Sequence, residues 1–188
     1  MEDSDYDLMA RLGGGDDLAL NLLMQRWKDR LAAFLYRMTA HVETAADLTQ
    51  ETFVKLYLAR QKYRPDGKFS TYLFSIASNL GRNHARWKKR HPAVSLDAES
   101  NGEALLPEAA DTAQTPDEAA ASADRLKAVN EAIQALPDDL REAMTLFIHE
   151  GMGYAEIATV AGCSVKAAET RIYRARQILK ENLKHIRS

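Results

Sequence analysis

The 188-residue sequence predicts an all-α protein: two small helical domains joined by a flexible acidic linker, the second domain a helix-turn-helix. Apolar residues recur at helical spacing through both ends of the chain, and no alternating strand pattern interrupts them. A central stretch between them has no apolar stripe that could bury a face. With 46% hydrophobic residues, the ends can each build a packed core. The expected boundaries are 1–92 for the first domain, 93–125 for the linker and 126–188 for the second domain.

In the first domain a short helix leads to Gly13-Gly14-Gly15, followed by Asp16 as the expected N-cap of the next helix. The glycine run has neither a following Lys-Ser nor a preceding strand, which argues against a phosphate loop. Leu23, Trp27, Leu31, Phe34, Leu35 and Met38 form the inward stripe of one helix, and Leu48, Thr52, Phe53, Leu56 and Tyr57 that of another. Tyr63-Arg64-Pro65-Asp66-Gly67-Lys68 is turn-forming and could wrap a flipped-out base. From Phe69 to Arg90, Tyr72, Ile76, Leu80 and Trp87 share one face, which places both aromatics in the core. Ser75, Asn79, Arg82, Asn83, Arg86 and Arg90 share the opposite face. Five of the ten residues from Arg82 to His91 are Arg or Lys and none is acidic, so phosphates are the natural counter-charge. Asn79 and Asn83, one turn apart, can hydrogen-bond an unpaired base edge.

Residues 93–125 are rich in Ala, Asp, Glu, Ser and Pro and read as the tether. From about Pro116 a helical tail is expected to run into the helix carrying Leu126, Val129 and Ile133.

The second domain closes on GYAEIATVAGCSVKAAETRIYRARQ. Ile157, Ala158 and Ala161 are the apolar or small positions of a first helix, Gly162 permits the sharp turn, and Ser164 can cap the next helix. Along that helix Val165, Ala168, Ile172, Ala175 and Leu179 make an inward stripe. Lys166, Glu169, Thr170, Tyr173, Arg174 and Gln177 fall on the other side, a mixture of cations and hydrogen-bonding groups suited to base edges in a major groove. Arg171 and Arg176 flank them for phosphates.

Net charge is −2, which hides its distribution: +4 over 1–92, −7 over 93–125 and +1 over 126–188. Residues 164–188 hold 7 basic groups against 2 acidic ones, so the local patch still points to nucleic acid. The single cysteine, Cys163, cannot form an internal disulfide and suits a small buried turn residue. The histidines (His41, His84, His91, His149, His185) are scattered without carboxylates at metal-ligand spacing, so neither a metal, a cofactor nor catalysis is expected. No apolar run is long enough to span a membrane, and the acidic start MEDSDYD is unlike a secretory signal; a cytoplasmic location is expected.

Four ordered segments carry a resemblance: DLTQETFVKLY (Asp47 to Tyr57), FSTYLFSIASNLGRNH (Phe69 to His84), LPDDLREAMTLFIHEGMGYAEIA (Leu136 to Ala158) and ETRIYRARQIL (Glu169 to Leu179). The chain resembles the bacterial sigma factors of the extracytoplasmic-function group. The resemblance implies a factor that binds core RNA polymerase and directs promoter-specific initiation. By it, Asp47, Gln50 and Glu51 contact the polymerase. Arg64 and Lys68 in the loop, with Ser75, Asn79, Arg82, Asn83, Arg86 and Arg90, capture the minus-10 element as single strand. The helix from Val165 reads the duplex minus-35 element, and the tether matches the linker that threads the polymerase. An anti-sigma factor is implied as a further partner. The sequence departs from many relatives at Ala167-Ala168, where Thr-Val is frequent, and at Glu169, where a basic or small residue is common. The alternative is an autonomous helix-turn-helix repressor or activator, which would need neither the Phe69 to Arg90 face nor the Asp47 to Tyr57 helix.

Overall fold

The computed structural model describes residues 3–91 and 127–184, and these contain helices and loops but no strand. Helix α1 (Asp5–Gly13) starts at a reciprocal cap: the Asp7 amide donates to Ser4 Oγ, and the Ser4 amide donates to the Asp7 carboxylate. It ends in the glycine run, where Gly15 takes φ +96°. Helix α2 (Leu18–Thr39) begins one residue later than an Asp16 N-cap would place it. Asp17 occupies the N-cap without a side-chain bond, while Asp16 Oδ1 accepts from the Leu18 amide at 3.1 Å. The carboxylate still satisfies a helix-start donor, but from outside the cap position.

The whole expected stripe of α2, from Leu23 to Met38, is buried. Helix α3 (Val42–Ala59) returns against it, burying Leu48, Thr52, Phe53 and Leu56 and half-burying Tyr57. The turn between them forces Ala40 into the left-handed region at φ +56°, its amide donating to Tyr36 O at 2.8 Å. A Cβ there is strained, so Ala40→Gly should stabilise the protein by about 0.5–1 kcal/mol. Chemical denaturation would check it, and a loss of stability would show that the turn is not strained.

A short 3-10 turn (Arg60–Lys62) and the loop 63–68 lead into α4 (Phe69–Arg90). An aromatic cluster seats this helix. Phe74 meets Phe34 and Trp27 edge-on at centroid distances of 5.2 and 6.3 Å, and Phe69 meets Trp27 at 5.8 Å. Tyr72 is half-buried against Tyr63 at 5.0 Å. Trp87 does not enter the core as expected: it is 43% exposed and stacks on His91 at 4.9 Å. Helical period selects a side of α4, but the last turns run past the elements that cover its middle.

In the second domain a helix over 127–134 (α5) is followed by α6 (Asp138–Ile148), α7 (Tyr154–Ala161) and α8 (Val165–Asn182). Ile133 is buried and Val129 half-buried, while Leu126, the tail from Pro116 and the tether lie outside the described residues. The two helical units are not separate bodies: α4 packs on α7 and α2 on α6, so buried apolar residues form one continuous cluster across them.

Candidate nucleic-acid interface

The helix-turn-helix follows from three local devices. The Gly153 amide at the start of α7 donates to Glu156 Oε2 at 2.9 Å. At its end Gly162 adopts φ +63°, ψ 42°, and the Cys163 amide reaches back to Ala158 O at 2.9 Å. Ser164 then caps α8, its Oγ accepting from the Ala167 amide at 3.1 Å. Ile157, Ala158 and Val160 of α7 are buried, and Ala161 is half-buried. Cys163 is likewise half-buried. On α8 the stripe Ala168, Ile172, Ala175 and Leu179 is buried, whereas Val165, at the first helical position, is exposed beyond the neighbouring helices.

The opposite face of α8 is open. Lys166, Tyr173, Arg174, Arg176 and Gln177 are exposed, and Glu169 and Thr170 are half-buried beside them. Lys166 pairs with Glu169 at 3.1 Å, and Thr170 Oγ1 donates to Lys166 O at 2.8 Å. The two expected flanking arginines differ from each other. Arg176 lies over the Phe147 ring at 4.8 Å, which aims it along the surface, whereas Arg171 sits 3.6 Å from Asp139 and is half-buried.

On α4, Asn79, Asn83, Arg86 and Arg90 are exposed, while Ser75 and Arg82 are half-buried. The two asparagines are held by arginines one turn on: Arg82 Nη2 donates to Asn79 Oδ1 at 2.6 Å, and Arg86 Nη2 to Asn83 Oδ1 at 3.0 Å. With Oδ1 engaged, their amide N–H groups are the side-chain donors that remain. Ser75 Oγ donates to Thr71 O within its own helix. The loop before α4 is tied to α1 by the Tyr6 hydroxyl, which donates to Gly67 O at 2.8 Å. Between the loop and α7 lies a cleft of about 730 Å³, lined among others by Tyr63, Arg64, Lys68, Tyr72 and Ser75. Burial pushes the Tyr63 phenol up to about 12 and raises that of Tyr72, so both remain neutral hydroxyls.

On α3, Asp47, Gln50 and Glu51 are all exposed, as their polar register requires. Periodicity did not single out Val54 and Leu58, which continue the same face at 55% and 72% exposure. Both apolar side chains lie open beside the carboxylates.

Residues 23–91 match the family model for Sigma-70 region 2, and residues 126–179 match that for Sigma-70, region 4. The RNA polymerase sigma-H factor of Pseudomonas aeruginosa is 34% identical over 183 residues, covering 97% of this chain and 95% of that protein. The chain is a sigma factor of the extracytoplasmic-function group. The ECF RNA polymerase sigma-E factor of Haemophilus influenzae is 31% identical, covering 96% of this sigma factor and 95% of its own length. Among solved structures, CnrH in complex with the cytosolic domain of CnrY shares the fold at a TM-score of 0.69 and 27% identity, over 97% of this sigma factor and 99% of that chain. The sigma factor therefore directs transcription initiation, with core RNA polymerase and promoter DNA as its partners. No helix among its described residues is long and apolar enough to cross a membrane.

Proposed function

We propose that the three faces divide the work of initiation by residue. The face of α3 carrying Asp47, Gln50 and Glu51, extended by Val54 and Leu58, docks on core polymerase. The loop residues Arg64 and Lys68, with Ser75, Asn79, Arg82, Asn83, Arg86 and Arg90 of α4, hold the minus-10 element as an unpaired strand. Lys166, Glu169, Thr170, Tyr173, Arg174 and Gln177 of α8 read the duplex minus-35 element, and Arg171 and Arg176 meet its backbone. The domains that do this are 1–92 and 126–188, with 93–125 as the tether between them.

One observation carries this reading: α4 and α8 each present exposed cations interleaved with amide, hydroxyl or ring groups, on the side opposite a buried and largely apolar stripe. Cations supply affinity for phosphate without regard to sequence, and the interleaved polar groups supply discrimination between bases. CnrH, which shares this fold, was solved in complex with the cytosolic domain of CnrY, and this supports a second protein, an anti-sigma factor, as a further partner.

The test of the α8 backbone assignment is Arg176→Ala. Binding of the factor, within holoenzyme, to a duplex minus-35 element should weaken, and the slope of log affinity against log salt should fall by about one unit. An unchanged slope would remove Arg176 from the backbone contacts.

A further inference from the structure

The reading face of α8 carries one acidic side chain among its cations. Glu169 stands between Lys166 and Tyr173 on a line of residues spaced by three and four, whereas the other carboxylate of the helix, Glu181, lies in its last turn and pairs with Lys184. A carboxylate brought into a groove walled by phosphates is repelled from both sides, so it lowers affinity for duplex DNA in general. Its contribution is discrimination: it is held where a base offers it a proton and repelled where a base offers only lone pairs.

The surroundings of Glu169 fix what it presents to a base. Its Oε2 accepts from Lys166 Nζ at 3.1 Å, and with side-chain exposures of 86% for the lysine and 41% for the glutamate the pair stands open on the surface. Lys166 is the second residue of α8, whose start is held by the Gly162 turn and the Ser164 cap, and the first turns of a recognition helix are the ones that reach base edges. Thr170, beside Glu169, commits its hydroxyl proton to Lys166 O at 2.8 Å, so toward a base it presents lone pairs and a methyl group. Glu169 and Thr170 together make an acceptor patch, with the Lys166 ammonium donating alongside it.

This arrangement has a complement among the base pairs. In the major groove guanine shows two acceptors and thymine an acceptor and a methyl group, so only cytosine and adenine offer an amino group to the carboxylate. The adenine N7 acceptor lies next to that amino group and opposes the second carboxylate oxygen, whereas the cytosine edge carries no acceptor. Across the pair from cytosine, guanine gives an ammonium group two acceptors, where thymine gives one beside its methyl.

We propose that the Lys166–Glu169 ion pair reads one C·G base pair of the minus-35 element, Glu169 accepting from the cytosine N4 amino group and Lys166 donating to O6 or N7 of its guanine. The proposal rests on the reading of α8 as the minus-35 helix, and it makes Glu169 a specificity-determining residue. The factor loses some affinity for every duplex and gains discrimination at one base pair.

The test is in vitro transcription by core polymerase with the full chain over templates randomised in the upstream element, followed by binding of the holoenzyme to duplexes that differ only at the base pair so identified. With the unsubstituted factor one upstream position should be cytosine on one strand, favoured over each other base on the order of tenfold. Glu169→Gln replaces a pure acceptor by an amide that meets adenine N6 and N7 with two bonds, so the preference at that position alone should move to adenine. Glu169→Ala should level the four bases there to within about threefold and raise binding to the duplex carrying thymine at that position, since the repulsion is gone. A side chain that merely supported α8 would instead lower binding to every duplex alike. Absence of an upstream cytosine preference, or a preference unmoved in both variants, would overturn the C·G assignment. Upstream selection indifferent to Arg174→Ala as well would overturn reading by α8 itself, which separates the two failures.

Discussion

Asp47→Lys combined with Glu51→Lys should weaken association with core polymerase on the order of a hundredfold or more. Both carboxylates are exposed on α3, one turn apart, and on the same face as Val54 and Leu58, so a partner covering the apolar pair must also meet the charges. Reversing two charges inside a covered interface replaces attraction with like-charge contact, and each such change costs several kcal/mol. Glu51 pairs with Lys55 at 3.5 Å across an exposed turn, so the fold itself should lose little. Titration of labelled factor into core enzyme would measure the effect. Association within threefold of the unsubstituted protein would remove this face from the polymerase contacts.

Asn79→Ala should lower open-complex formation by tenfold or more while leaving closed-complex binding within about threefold. Extruding a base costs a few kcal/mol that contacts in the pocket must return. Asn79 is suited to that role because it is exposed and its Oδ1 already accepts from Arg82 at 2.6 Å, leaving the amide N–H groups as the donors that remain. Duplex capture through α8 does not involve it. Permanganate reactivity of unpaired thymines reads the open complex and gel shift the closed one. Equal losses in both would show that Asn79 serves general binding and not strand capture.

Much of this was legible in the amino-acid sequence because it depends on short-range rules. The α2 stripe from Leu23 to Met38, the turn at Gly162 and the Ser164 cap each follow from spacing or from the conformational demands of a single residue. Trp87 and Val165 were misplaced for a common reason. Periodicity gives the side of a helix on which a residue lies, but not how far the neighbouring helix extends to cover it, and both residues sit near helix ends. Asp16 was displaced by one position because its carboxylate can serve the Leu18 amide from outside the cap.

The association of the two domains could not be read in this way. Ser78 and Arg82, which donate to Glu142, lie some 60 residues from it, on the other side of the tether, while Asp138 and Glu156, at the starts of α6 and α7, are what helix dipoles and caps favour in any case. Nothing in their local pattern distinguishes a carboxylate that faces solvent from one that faces an arginine of another domain. The segment charges give no hint of it either, since the two domains carry +4 and +1 and the acidic excess lies in the tether.

The most direct measurement is in vitro transcription by core polymerase and the purified factor over a randomised promoter library, with start sites sequenced. Transcripts should arise from templates enriched in two elements at a fixed spacing, with Arg174→Ala altering selection only in the upstream element and Asn79→Ala only in the downstream one. Start sites no different from those of bare core polymerase, or enrichment of a single palindromic element, would contradict joint promoter reading by α4 and α8.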